Sequence, residues 1–462
     1  MILVLLVILL AALALVARAD NCPPITPDPT LHPNFTIQAP AFAWNQDKVR
    51  GVTLGGWLVL EPWITPSLFA SKPDWAVDEW TYGQYWSNHS CPAAEIAVHW
   101  KGFYTAADFQ SIAGVGLNTV RIPIGFWSLV PLANGEPYLV GAFEYLKQAV
   151  TWAAASNLKV MVDLYGAPGS QNGLDSSGRR GTAEWYANWT NADRATAAVV
   201  AVATEFAKPQ YGGAVATIGL LHSPQPNAAW QLEWLRGYYN QTYFAVRNVS
   251  SVTLLLGSAG PLGSWSGFMQ PPQYQGVGIS EPILPMFDAT TLQYGATDNL
   301  RWTCGWNDTL TRSNHNLWTV AEMTAATTDC AAWLNGRGVG ARYDNASAVR
   351  YPGSCADKSG NNPGAFGAEY TRQMGVGFET QTYVYEAAGS GWTFCCWNTE
   401  AAADWSFSLG LVYGWIPVPI TAKHTKPCNF SSYIETGAAG RRAVPAGVVT
   451  ALAAAAWLVS IL

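Results

Sequence analysis

The chain has 462 residues, which is enough for one large domain or a few small ones with a deep core. Only 12% of the residues are charged and 49% are apolar, with 25 Lys and Arg against 31 Asp and Glu, which excludes a disordered protein and one that coats nucleic acid. The 23 Trp, 20 Tyr and 16 Phe favour either a site that stacks flat rings against a ligand or a strongly aromatic core.

The two ends of the chain predict a secreted protein that is anchored at the cell surface. Residues 2–16 are apolar and precede a small-x-small exit, so 1–19 read as a cleaved signal peptide. The apolar tail 443–462 follows small residues within the linker 431–442 and resembles a GPI-attachment signal. A plain C-terminal membrane helix is the alternative, because the polar spacer before the tail is short. We therefore predict an extracellular location, with attachment to the plasma membrane or cell wall.

Sequons and cysteines agree with secretion. The eight Asn-x-Ser/Thr sequons start at Asn34, Asn88, Asn188, Asn240, Asn248, Asn307, Asn345 and Asn429. The eight cysteines predict disulfides whose connectivity cannot be deduced from spacing: Cys22, Cys91, Cys304, Cys330, Cys355, Cys395, Cys396 and Cys428. If the adjacent Cys395 and Cys396 lie on a strand they face opposite ways, so at most one would join a given neighbour.

Short apolar runs alternate with amphipathic stretches along the chain. The predicted strands are 51–60, 117–122, 158–164, 215–221, 251–257, 283–287, 317–322 and 392–397, and two of the predicted helices are 140–155 and 192–207. Eight strands with seven crossovers predict an α/β fold, a single-domain (β/α)₈ TIM barrel over residues 20–430. A barrel this complete needs no partner chain, so we expect a monomer.

The ends of the predicted strands should carry the chemistry in such a barrel. The seventh strand ends on Glu322, whereas the fourth is followed by His222 and Ser223 and brings no carboxylate. Asp163 and Asp288 suit either a functional role or a structural one. A Ser-His nucleophile is a weak alternative, since neighbours on a strand face opposite ways.

Several motifs together resemble one family. Residues 50–69, with Gly55-Gly56-Trp57 and Glu61-Pro62-Trp63, resemble the opening signature of fungal-type exo-β-1,3-glucanases, secreted retaining enzymes of glycoside hydrolase family five with cellulase-like barrels. The resemblance continues through Gly116-Leu-Asn-Thr-Val-Arg-Ile-Pro-Ile-Gly125 and covers residues 40 to 420. Further matches stand at 166–173, 328–336, 340–344, 389–392 and 397–400.

The resemblance implies that part of the family's site is retained. Glu322 stands at the nucleophile position, and Arg121 matches the arginine that supports it. Glu61 and Asp175 match acids that bind the terminal glucose hydroxyls, and Trp397 matches the tryptophan beneath the sugar ring. Acids beside an aromatic floor suit a sugar with many hydroxyls and one apolar face.

The resemblance also implies that another part is replaced. The family's Leu-Leu-Asn-Glu-Pro reads Leu220-Leu221-His222-Ser223-Pro224, so Ser223 stands at the acid/base position and His222 at that of its asparagine. Tyr165 replaces the histidine of Asp-Leu-His-Gly. The family's Asp-Thr-His-His-Tyr-Gln-Val-Phe is matched to 288–295, with Leu292 at the tyrosine position. Leu174 and Gly295 then replace the aromatic clamp.

These replacements leave two classes of function open. The first is a surface relative that binds β-1,3-glucan or a related wall glycan and is catalytically impaired, because a serine cannot protonate a glycosidic oxygen at neutral pH. The second is an active exo-β-1,3-glucosidase or transglycosylase with a displaced acid. A purely structural role is disfavoured by the retained sugar-binding positions. We expect no metal, cofactor or nucleic-acid partner, since the reaction class uses carboxylates alone.

Overall fold

The computed structural model describes residues 47–87, 89, 92–311, 317–344, 353–422 and 428. The predicted signal peptide, the linker 431–442, the C-terminal tail, and Cys22 and Cys91 lie outside the described residues. Within those residues, no helix is both long enough and apolar enough to cross a membrane.

Eight parallel strands close into a barrel in chain order, which confirms the predicted (β/α)₈ fold. The strands are β1 Val49–Thr53, β2 Thr119–Gly125, β3 Lys159–Gly166, β4 Val215–Gly219, β5 Thr253–Gly257, β6 Val277–Pro282, β7 Trp318–Met323 and β8 Gly391–Cys395. Every residue of β2 and β3 is buried, as expected for parallel strands covered on both faces.

Helices occupy the crossovers in the described residues. They are α1 Ser67–Ala70, α2 Glu79–Ser87, α3 Pro92–Gly102, α4 Ala106–Gly114, α5 Ala142–Ala155, α6 Trp189–Phe206, α7 Ala229–Arg247, α8 Ala296–Leu310, α9 Ala368–Ala388 and α10 Phe407–Tyr413. The predicted helices 140–155 and 192–207 correspond to α5 and α6. The crossover from β5 to β6 instead contains a 3₁₀ turn at Leu262–Trp265.

The prediction of the sixth strand at 283–287 is wrong. The strand that pairs with β5 and β7 is Val277–Pro282, and Pro285–Phe287 forms a 3₁₀ turn after it. The run 283–287 is apolar because it packs into the protein outside the sheet, where Ile283 and Met286 are fully buried. A short apolar run does not by itself distinguish a strand from a buried loop.

The first strand is shorter than predicted, and the barrel interior is closed by apolar side chains. Strand β1 ends at Thr53, and the rest of the predicted run 51–60 is buried loop. Val49, Met161, Leu255 and Val320 form a separate buried cluster. These four come from β1, β3, β5 and β7, as in one interior layer of alternate strands. The polar site can therefore lie only towards the carboxyl end of the strands.

Three disulfides are present among the described residues. Cys304 joins Cys428, Cys330 joins Cys355, and Cys395 joins Cys396. Strand β8 ends at Cys395, so the expectation that the adjacent pair would face opposite ways does not apply. The two neighbours are bonded to each other.

Candidate active site

Three charged side chains from separate strands meet inside the barrel. Arg121 lies on β2, Asp163 on β3 and Glu322 on β7, and each is at most 4% exposed. Arg121 Nε donates to Asp163 Oδ2 at 3.0 Å, and Arg121 Nη1 donates to Glu322 Oε2 at 2.9 Å. Burial opposes ionisation of Asp163, but the positive charge of the Arg121 guanidinium lowers its pKa to about 2. The arginine is therefore the counterion of both carboxylates.

Gly219 makes room for this arrangement at the end of β4. It pairs in register with Asp163, and a Cβ at position 219 would overlap the Asp163 carboxylate at 1.8 Å from Oδ1. Any larger residue at the end of β4 would displace the carboxylate from Arg121.

His222 and Ser223 lie in the loop after β4 and contact each other. Ser223 has φ 41° and its Oγ lies 3.1 Å from His222 Nε2. The prediction that these neighbours face opposite ways is wrong, because β4 ends at Gly219 and does not extend to 221. The chain therefore turns where the resemblance places the family's acid/base.

The hydrogen bonds of His222 determine which ring nitrogen carries the proton. Arg121 Nη2 lies 3.0 Å from His222 Nδ1, and an arginine can only donate, so Nδ1 accepts. In this tautomer the ring proton is on Nε2 and points at Ser223 Oγ. A histidine base would need a free lone pair at Nε2, so this arrangement opposes a Ser-His nucleophile. The Nδ1 atom is also 3.9 Å from Glu322 Oε2.

Tyr165 completes a group of replaced residues. Its ring stacks on that of His222, with centroids 3.8 Å apart and planes 7° from parallel. Both rings are nearly enclosed, at 3% and 9% exposure. The three replaced positions Tyr165, His222 and Ser223 are thus one packed unit beside Glu322.

Glu61 and Asp175 lie buried in the same region. Burial raises the pKa of Glu61 to about 8, and the carboxylates of Asp175 and Glu322 add to the shift. Burial also raises the pKa of Asp175 to about 7. Asp175 Oδ2 is buried and has no hydrogen-bond partner among the described residues. A ligand hydroxyl would satisfy such an atom.

Trp397 and Leu292 are less accessible than their predicted roles require. Trp397 is 1% exposed, its Nε1 donates to Asp108 Oδ1 at 3.2 Å, and its ring stacks on Phe407. Leu292 is 5% exposed in an apolar cluster with Met286. Their roles in sugar binding stay predictions.

The corrected sixth strand leaves the matched motif outside the sheet. Strand β6 ends at Pro282, and a 3₁₀ turn at Pro285–Phe287 separates it from residues 288–295, which the resemblance matches to the family's eight-residue motif. Phe287 in that turn is 43% exposed, and its ring lies 6.2 Å from the Trp405 ring. The match of the motif to 288–295 stays a prediction.

Asp163 is the residue of the buried charged group that the sequence left undecided between a functional and a structural role. The available signal was its parity: Asp163 and Tyr165 are two apart on β3, so both face the barrel interior. In the described part of the chain, no group of three or more His, Cys, Asp or Glu side chains is placed to hold a metal ion.

Comparisons with known proteins agree with this architecture. Residues 85–277 match the profile of Cellulase (glycosyl hydrolase family 5). The chain is 40% identical to "Probable glucan 1,3-beta-glucosidase A" of Aspergillus niger over 79% of this chain and 86% of that protein. It is 36% identical to "Glucan 1,3-beta-glucosidase 2" of Wickerhamomyces anomalus over 82% and 90%.

Among solved structures, the fold is similar to rutinosidase from Aspergillus niger. The TM-score is 0.63 with 15% identity, over 81% of this chain and 99% of that one. At this identity the likeness concerns the fold alone, whereas the sequence relatives establish the family. The chain belongs to glycosyl hydrolase family 5, in the branch that includes the glucan 1,3-beta-glucosidases.

Proposed function

We propose that this protein is a surface-anchored member of the family that binds β-1,3-glucan or a related wall glycan and hydrolyses it poorly. The observation that carries the proposal is the contact between Ser223 Oγ and His222 Nε2 at 3.1 Å, at the position of the family's acid/base. The names of the sequence relatives support a glucan as the ligand.

The impairment follows from the chemistry of retaining hydrolysis. One carboxyl group must protonate the leaving oxygen and then deprotonate water, which contributes on the order of 10²–10⁴-fold to the rate. The Ser223 hydroxyl accepts a hydrogen bond from His222 and can donate its own proton only as a hydrogen bond. It therefore favours binding of a glycosidic oxygen rather than its protonation.

The nearest acid in the following helix does not replace the missing group. Glu233 on α7 has a side chain that is 68% exposed and pairs with Arg236 at 2.5 Å. It is held at the surface, away from the barrel interior.

Glu61 favours the alternative function, an active glucosidase or transglycosylase with a displaced acid. With a pKa of about 8, Glu61 is protonated at neutral pH, and its shift includes the charge of Glu322. A protonated carboxyl in the pocket of the nucleophile could donate a proton if a sugar brought its glycosidic oxygen within reach.

Glucose release from laminari-oligosaccharides decides between these functions. We expect the purified ectodomain to bind laminaritriose by calorimetry and to release glucose on the order of 10²–10⁴-fold more slowly than is typical of the family, with the Glu322→Gln variant as the blank. Release at a rate typical of the family would overturn the impaired function. If that release were lost in Glu61→Gln, the displaced acid would be identified.

Anchoring and oligomeric state complete the proposal. The predicted signal peptide and C-terminal tail support a secreted, GPI-anchored monomer. Phosphatidylinositol-specific phospholipase C should release the protein from intact cells, whereas a C-terminal membrane helix would leave it bound. Sedimentation of the released protein tests whether it is a monomer.

A further inference from the structure

Two tryptophans are unusually exposed on neighbouring helices. Trp189 is the first residue of α6 and is 46% exposed, and Trp230 near the start of α7 is 57% exposed. The partly buried Trp234 stacks on Trp189, with centroids 4.1 Å apart and planes 19° from parallel. Trp230 and Trp234 are four residues apart and so lie on one face of α7. We name Trp189, Trp230 and Trp234 the tryptophan platform.

A glycine in the interior of α7 leaves space for the Trp189 ring of the platform. A Cβ at Gly237 would lie 3.0 Å from the Trp189 ring, closer than ordinary contact. Glycine in a helix interior costs about 1 kcal/mol relative to alanine. Helix α7 thus has a destabilising glycine, Gly237, at the point where the half-exposed Trp189 ring packs against it. A solvent-exposed indole gains little from burial, so stability alone does not account for the pair.

The platform lies at the same end of the barrel as the site. Helix α6 follows β3 and helix α7 follows β4, so both helices begin at the carboxyl ends of the strands. Ser223 belongs to the loop that leads into α7, and Trp230 is seven residues further along. The exposed indoles therefore lie on the β3–β4 side of the barrel, towards the end that carries the site.

The polar surroundings suit a neutral, hydroxyl-rich ligand. Glu233 lies beside the platform on α7, and Gln241 Nε2 donates to Asp193 Oδ1 at 2.8 Å between α7 and α6. These groups can hydrogen-bond sugar hydroxyls while indole faces stack on the apolar face of a pyranose. The Asp193 carboxylate would oppose docking to an anionic lipid surface, whereas Glu233 is already paired with Arg236.

We propose that the tryptophan platform is a second glycan-binding site, which holds a distant part of the β-glucan chain or a neighbouring chain outside the barrel mouth. The identity of the glycan rests on the proposed function. Its consequence is that long or particulate glucan is held more tightly than short oligosaccharides, through two linked contacts.

Retention on insoluble β-1,3-glucan tests binding at the platform. Calorimetry with laminaritriose measures binding at the site inside the barrel separately. We expect Trp189→Ala and Trp230→Ala each to weaken retention by roughly tenfold, because exposed aromatic anchors carry much of such binding. Laminaritriose affinity should stay within about twofold of wild type. Trp189→Phe and Trp230→Phe should keep intermediate retention, which separates ring stacking from misfolding.

A matched control lies on the same helix. Phe244 is 49% exposed and fourteen residues beyond Trp230, about 21 Å along α7. Phe244→Ala should retain wild-type binding.

The sequon that starts at Asn188 includes Trp189, so a glycan on Asn188 would lie beside the platform. Thr190→Val removes the sequon and leaves the Asn188 side chain to cap α6, where it accepts a hydrogen bond from the Asn191 N–H. The Thr190→Val variant should retain or increase glucan binding.

Three results would contradict the proposed glycan-binding role of the tryptophan platform. These are unchanged retention in both alanine variants, an equal loss of laminaritriose binding, or tryptophan-dependent binding to lipid vesicles in place of glucan. If wild type failed to bind laminaritriose but still showed tryptophan-dependent retention on glucan, the proposed function of the mouth would fail while the platform stood.

Discussion

Arg121 Nη1 donates to Glu322 Oε2 at 2.9 Å, and this bond links β2 to β7 across the interior of the barrel. The same guanidinium holds Asp163 on β3. One cation therefore neutralises two carboxylates that the fold removes from water.

Replacement of Arg121 by methionine should be strongly destabilising. Two carboxylates would be left buried without a counterion, and such changes cost about 3–5 kcal/mol in the free energy of unfolding. Urea denaturation at pH 7 measures the loss. Arg372→Met is the matched control, because its pair with Glu369 is exposed and should contribute about 1 kcal/mol or less. Equal effects of the two substitutions would contradict the counterion role.

The depressed pKa of Asp163 gives this pair a pH dependence. Its folded pKa of about 2 lies below the ordinary value near 4, so its stabilising contribution is complete above pH 4 and is lost as the pH falls towards 2. Wild-type stability should fall across this window. In Arg121→Met this part of the fall should disappear, and its persistence would show that other carboxylates cause it.

Azide should rescue turnover if Glu322 is competent and the acid/base is missing. An activated aryl β-glucoside has a leaving group that departs without protonation, so the first step should give a burst of phenol equal to the enzyme concentration. Deglycosylation then lacks its base and should be slow. Azide needs no base, and we expect it to raise turnover roughly tenfold or more and to yield glucosyl azide. Glu322→Gln should show no burst, and steady turnover that azide leaves unchanged would count against the mechanism.

Ser223→Glu should restore little activity by itself. Ser223 has φ 41°, where a non-glycine residue is held at a cost of order 1–3 kcal/mol, and the stacked rings of Tyr165 and His222 occupy the adjoining space. Adding Tyr165→His and His222→Asn should raise glucose release beyond the sum of the separate effects. Additive effects in the mutant cycle would indicate that the three positions are not coupled.

Glu79 should make the protein less stable as the pH rises towards 8. Its oxygens accept from the Leu60 N–H and from Trp127 Nε1, both at 2.8 Å, yet burial raises its pKa to about 8. The folded state keeps this proton between about pH 4.5 and 8 while the unfolded state loses it, so stability falls as the pH rises through that window. Thermal unfolding from pH 5 to 8 should be less pH-dependent in Glu79→Gln. Glu369→Gln is the control, since the pKa of Glu369 is lowered and its titration is complete below this window.

The two long-range disulfides should differ in their effect on stability. Cys304 and Cys428 are separated by 124 positions, and Cys330 and Cys355 by 25. Removing the first pair by double serine substitution should therefore lower the free energy of unfolding by roughly 1 kcal/mol more than removing the second, since the cost scales with loop length. Denaturant titrations of both double variants test the order, and a larger effect of the shorter loop would contradict it.

The barrel and most of its strands could be predicted because their signals are local. Buried parallel strands are apolar on both faces, so β2, β3 and β7 are visible as continuous runs. The sixth strand was misplaced because the loop after it is equally apolar. Glu322 and Ser223 could be located by motif and order along the chain alone.

Other contacts could not be predicted in this way. The resemblance implies that Arg121 supports Glu322, 201 positions away, but nothing in the sequence around either shows that the same arginine also holds Asp163. The bond between Ser223 and His222 depends on where β4 ends, which strand pairing decides.

By itself, the sequence determined the fold class and the absence of a carboxyl group at position 223, since both follow from residue types and their spacing along the chain. The tertiary structure alone decided that Tyr165, His222 and Ser223 pack as one unit and that Trp189 stacks on Trp234. The physical reason is that the two ring stacks join separate elements, whose distances and angles are set by closure of the barrel, and that the contact between His222 and Ser223 depends on where β4 ends.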